Sequence, residues 1–122
     1  MHSRFKQSGR TEYAHHLIKN VRELVGNKLP ISNSLLPLDI LLVVLDKNHK
    51  EHLTVKQLFA SVPYSHTGLR YHFGRLLKDG WLELDVIQAD RRNRVVMPTQ
   101  KLLVQFDDLV DQIYASTNLI EK

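Results

Sequence analysis

Thr67, Arg70, Tyr71 and Arg75 fall within nine residues, and Arg91, Arg92 and Arg94 crowd a tip of four residues further on. Guanidinium groups donate in a fixed fork that matches a guanine edge or a phosphate, and hydroxyls serve phosphate oxygens. The Thr67 methyl suits a thymine methyl, and Ser65 and His66 lie just ahead with further donors. A cluster of arginines on a narrow tip suits the electronegative minor groove or the phosphates beside it. Asp90 stands two residues from Arg92, where a charge-assisted pair could fix the direction of that guanidinium. The partner that uses all of these groups together is double-stranded DNA.

Such groups work only if a scaffold presents them, and Thr54 to Pro98 has the signals of one. Thr54-Val55-Lys56-Gln57 has the form of a capping box, which starts a helix with Val55, Leu58 and Phe59 inward. Val62-Pro63-Tyr64 breaks it, and Ser65 is placed to cap the next. On a wheel from Ser65, Leu69, Phe73, Leu76 and Leu77 share one arc, while Thr67, Arg70, Tyr71, Gly74, Arg75 and Lys78 fill the rest. Asp79-Gly80 ends this helix, predicted over about 65–79. Leu82, Leu84 and Val86 then alternate with Glu83 and Asp85, as in a half-buried strand. Gln88 to Asn93 turns the chain, and Arg94 to Met97 returns. This is a helix-turn-helix followed by a β-hairpin wing, its tip at 88–94. Gly74 costs about 1 kcal/mol in mid-helix relative to Ala, so it has a reason to be there. It either lets a partner approach the backbone or makes room for Trp81. The helix alone also suits an amphipathic surface helix with solvated basic residues, and the tip alone a solvated turn.

The fold class expected is mainly α with a small β-hairpin (α+β). Residues 1–10 lack periodicity and read as a flexible basic tail, and 11–122 as one winged-helix domain. Within it, 11–26 forms an N-terminal helix stopped by Gly26-Asn27, 35–98 the core, and 99–120 a C-terminal helix. A helix near Pro37 is apolar nearly all round through Leu45, so it should lie mid-core. Tyr13, Leu17, Val21 and Leu24 stripe the first helix. Leu102, Leu103, Phe106, Leu109, Val110, Ile113 and Tyr114 stripe the last. A small winged-helix core cannot bury both stripes, which points to a second copy. Tyr13, Leu17, Val21, Leu24, Phe106, Leu109, Val110, Ile113 and Tyr114 are the candidate dimer contacts.

The chain has 122 residues, 43% hydrophobic and 25% charged, with formal net charge +4. Residues 1–30 hold six Lys/Arg against two Asp/Glu, and 63–97 six against four, so the basic surplus sits in the N-terminal segment and in the helix-wing segment. There is no cysteine, which excludes disulfides, thiolate metal sites and thiol redox sensing within the chain. No apolar run is long enough to cross a bilayer, and no signal segment follows Met1, so a soluble cytoplasmic protein is expected. His15, His16, His49, His52, His66 and His72 form no i, i+4 ligand pair with a supporting carboxylate, so no metal is expected. Asp107, Asp108 and Asp111 read as a solvated acidic face. No nucleophile–base spacing, phosphate-cradling glycine loop or paired carboxylates appear, so neither enzyme activity nor a cofactor is expected.

Ser65-x-Thr67, Leu76-x-x-x-Gly80-Trp81-Leu82, Asp90-Arg91-Arg92 and Pro98-Thr99-x-x-Leu102 together resemble the MarR (multiple-antibiotic-resistance regulator) family of bacterial winged-helix regulators. The Asp-x-Arg wing, met by Asp90 and Arg92, is the most specific part. The resemblance implies a homodimeric transcription factor whose N- and C-terminal helices interlock, with the matching helix in the major groove and Arg92 in the minor. Such regulators often answer to a small-molecule effector. The chain is short for the family, with one substantial helix before Pro37. The function expected is sequence-specific binding of double-stranded DNA that regulates transcription. The alternatives are a winged-helix protein-interaction module, or an accessory DNA-binding protein of replication or conjugation.

Overall fold

The computed structural model describes residues 9–31, 34–47, 52–87 and 90–121, with backbone alone for 47, 86–87, 90–93 and 118–121. Helix α1 spans Gly9–Lys28, α2 Leu36–Lys47, α3 Val55–Ser61 and α4 His66–Lys78. Strands β1, Leu82–Ile87, and β2, Asp90–Pro98, form an antiparallel pair, and α5 spans Gln100–Glu121. The architecture is mainly helical with one small hairpin, a winged helix-turn-helix.

Local chemistry explains most boundaries. The capping box is complete: Gln57 N–H donates to Thr54 Oγ1 at 3.1 Å, and Thr54 N–H to Gln57 Oε1 at 3.0 Å. Ser65 Oγ accepts from Gly68 N–H at 3.2 Å and starts α4. Gly80 takes φ +82°, open to glycine without strain. Gly80 N–H then reaches the Leu77 carbonyl and Trp81 N–H the Leu76 carbonyl, which closes α4 with a Schellman pair of bonds. Pro37 sits in the first turn of α2, and Ser34 Oγ accepts from Leu36 N–H at 3.1 Å.

Three boundaries differ from expectation. Of the supposed tail, residues 1–8 lie outside the described residues, while Gly9 and Arg10 form the first turn of α1. Gly26-Asn27 does not stop α1, which continues to Lys28; Leu29 N–H still bonds the Val25 carbonyl. Leu29 anchors that end in the core, and Pro30 follows to end the helix. Finally, the predicted turn Gln88 to Asn93 is shorter. Strand β2 already begins at Asp90, paired with Ile87, while Val86 pairs with Arg94. Arg91, Arg92 and Asn93 thus form a bulge with no counterpart on β1, and three extra residues bend the strand there.

One core joins the elements. Ile40, Leu41 and Val44 of α2, Leu58 of α3, and Leu69, Phe73 and Leu76 of α4 are buried together. Trp81, Leu82 and Val96 close it from the hairpin, and Leu102 and Leu109 from α5. Leu53 accepts from Val96 N–H at 2.8 Å, and Thr54 bridges Val95, so the hairpin is tied back to the start of α3. The α2 expectation fails at one residue, since Leu42 is exposed. Helix α1 packs on α5, yet none of its 20 residues is buried.

Candidate nucleic-acid interface

Helix α4 divides as its sequence does. Leu69, Phe73 and Leu76 are buried, while Thr67, Arg70, Tyr71, Gly74, Arg75 and Lys78 are exposed. The inward side fixes the outward one: Phe73 meets Phe59 edge-on at 5.5 Å between ring centroids, so α4 cannot roll on its axis without breaking that packing. His66 meets Phe59 in the same manner at 5.9 Å while remaining exposed. Between His66 and Lys78 there is no carboxylate, so the charge on the exposed side, from Arg70, Arg75 and Lys78, is positive only.

Two of its side chains are already ordered relative to each other. Arg75 Nη1 donates to Tyr71 Oη at 3.1 Å, and its guanidinium carbon stands 5.9 Å from the Tyr71 ring centroid. Tyr71 is 57% exposed, so this pair is held at the surface. The i, i+4 spacing was visible in the sequence, but its use to aim a guanidinium was not read from it. Gly74 faces open space: a Cβ built there meets no atom within 4 Å. Making room for Trp81 is therefore not its role, and Trp81 is buried in the core instead.

A bond that sequence reasoning missed holds the turn between α3 and α4. Tyr64 Oη donates to Asp39 Oδ2 of α2 at 2.5 Å. At a separation of 25 positions, no local pattern marks the pair. The Asp39 carboxylate, which accepts that proton, and partial burial raise the Tyr64 hydroxyl above its ordinary value of 10.0.

Of the wing, Arg94 is exposed on β2 opposite Val86. Asp90, Arg91 and Arg92 share the same bulged strand, but their side chains lie outside the described residues. Among the proposed dimer contacts, Leu109 is 2% exposed within the single chain, so it is part of this chain's own core. Leu24, Phe106 and Ile113 pack against that core while half-buried. Tyr13, Leu17, Val21 and Val110 are half-buried too, and Tyr114 is 68% exposed. An apolar groove lined by Leu17, Ile18, Val21, Val25, Leu35 and Leu38 runs between α1 and α2. A smaller cleft of about 370 Å³ lies between the end of α1 and α4, bordered by Tyr71, His72 and Arg75. Among the described residues, no three His, Cys, Asp or Glu side chains cluster as a metal site, and no helix is long and apolar enough to cross a membrane.

No protein-family model matches this sequence, and a comparison with curated proteins finds no relative. Solved structures do match. The transcriptional regulator Tm0710 from Thermotoga maritima aligns over 90% of this chain and 71% of its own, with TM-score 0.66 and 20% identity. AbsC, a MarR family transcriptional regulator from Streptomyces coelicolor, aligns over 89% and 71%, with TM-score 0.59 and 15% identity. AbfR, a protein of Staphylococcus epidermidis, aligns in its reduced form bound to DNA over 84% and 75%, with TM-score 0.56 and 20% identity. The chain has the MarR-like winged-helix fold.

Proposed function

We propose that this protein is a transcriptional regulator that binds double-stranded DNA in a sequence-specific manner as a homodimer. The observation that carries the reading is the outward side of α4, which is exposed, cationic and free of carboxylates. An α-helix so faced fits the major groove, where base edges can be told apart. Arg70 and Arg75 serve guanine edges or phosphates, Thr67 and Ser65 the backbone, and Tyr71 aims Arg75. Arg91, Arg92 and Arg94 reach the adjacent minor groove or its phosphates, with Asp90 orienting Arg92. One neighbour in fold supports the partner, since AbfR has been solved bound to DNA in reduced and overoxidized forms.

Homodimerisation is supported by α1. No residue of the 20-residue α1 is buried, although α1 packs on α5 and its Leu24 and Val25 reach the core. Ile18, 67% exposed beside the apolar groove, would be covered by the second copy. A small-molecule effector would be received in the cleft beside Tyr71 and Arg75, where its presence bears directly on the reading side.

Fluorescence anisotropy with labelled duplex tests the reading. The parent chain should bind, and affinity should fall steeply as salt rises, because phosphate contacts release counterions. Arg70→Ala should cost about 1–3 kcal/mol on the preferred duplex and relax the preference at one base pair. Equal binding by parent and variant on every duplex would count against α4 as the reading helix.

A further inference from the structure

The carbonyls at the end of α4 are taken up by side chains from the start of α5. Thr99 Oγ1 lies 2.6 Å from the Gly80 carbonyl and 3.0 Å from the Trp81 carbonyl and shares its proton between them. The same hydroxyl accepts from Leu102 N–H at 3.3 Å, which caps α5. Lys101 Nζ donates to the Asp79 carbonyl at 2.9 Å and sits 4.4 Å from the Trp81 ring centroid. An ammonium at a helix C-terminus meets the negative end of the helix dipole, and over a Trp face it gains a cation–π contact. Three successive residues, Asp79, Gly80 and Trp81, are thus clamped by two side chains, Thr99 at the cap of α5 and Lys101 in its first turn.

The position of this clamp gives it a consequence. Helix α4 packs chiefly on α2 and β1, while α5 packs on α1 and β2. Beside the core that both helices enter, α4 and α5 are tied by the hydrogen bonds at the Asp79–Trp81 joint. In a twofold dimer, any rotation at that joint moves both reading helices relative to the axis. Half-site spacing is set by that relation, and one inserted base pair displaces a half-site by about 3.4 Å and roughly 34°.

We propose that Thr99 and Lys101 are positioning residues that fix the spacing between the two reading helices. They set which separation of half-sites the dimer accepts, without touching DNA. This rests on the proposed homodimeric DNA-binding function.

The test compares the full-length parent with Lys101→Met, Lys101→Arg, Thr99→Val and Thr99→Ser. Each is titrated against duplexes carrying half-sites recovered by selection from a random pool, at the preferred spacing and at one base pair more or less. A single half-site duplex serves as control, and thermal unfolding is followed in parallel. The parent should discriminate against the altered spacings by about tenfold or more, and Lys101→Met should reduce that to about twofold. Affinity for the single half-site should stay within about twofold. Thr99→Val should act alike, and Lys101→Arg and Thr99→Ser should keep the parental preference. Lys101 is exposed, so its variants keep the test decisive should Thr99→Val unfold. Unchanged spacing preference in Lys101→Met, or equal loss on the single half-site, overturns the inference alone. Failure of the parent to bind any duplex overturns the proposed function and this inference with it.

Discussion

Arg75 shows how one side chain is prepared for its proposed role. Left alone, a surface arginine samples many rotamers, and ordering it on a partner costs part of its binding energy. The Tyr71 hydroxyl, four residues earlier on the same helix, already holds Nη1. Gly74 is the complementary case, a residue whose value lies in what is missing. Nothing in the chain occupies the space of its Cβ, so Gly74→Ala should stabilise the folded chain by about 1 kcal/mol through helix propensity. The same methyl should cost duplex binding about 1–3 kcal/mol, the usual range for overpacking a close contact. Thermal melts and binding isotherms on one preparation check both halves. A variant that gains stability and binds as the parent does would show that no partner approaches there.

At the scale of elements, the turn between α3 and α4 decides where α4 points, and the Tyr64–Asp39 bond holds it. The folded state raises the Tyr64 hydroxyl above 10.0, so the neutral phenol is favoured by folding. Its contribution is therefore complete below pH 10 and is lost as pH rises through the raised value. Tyr64→Phe should be less stable than the parent at neutral pH, and the gap between the two should close above pH 10. Denaturation series at neutral and alkaline pH would check this, and a gap that widens would contradict it. The wing is tested by Arg92→Ala, which should weaken binding across sequences and most with A·T-rich flanks, lowering the salt slope by about 1. Equal binding by both proteins to both kinds of flank would remove Arg92 from the interface. The helix ends were the legible part of the sequence, because Thr54, Gln57, Ser65 and Gly80 act through bonds that span three or four residues. The stop at Gly26-Asn27 was misjudged because Leu29 burial, a tertiary effect, carries α1 past it. The bulge at 91–93 was not legible at all, since register depends on both strands.

For the whole molecule, reading α4 from a wheel worked because one periodic pattern decides both what is buried and what is displayed. The Thr99–Lys101 joint and the Tyr64–Asp39 bond escaped that reading, because each links residues distant in sequence. The flanking helices were legible as apolar stripes, but how each stripe is shared was not. Leu109 turned inward, whereas Ile18 and Tyr114 remain exposed. Selection of bound duplexes from a random pool, with sedimentation of the recovered complexes, tests the central claim most directly. It should yield two related half-sites in inverted order, about one helical turn apart, bound by two protein chains. Recovery of no preferred sequence, or of a single unpaired site on one chain, would contradict it.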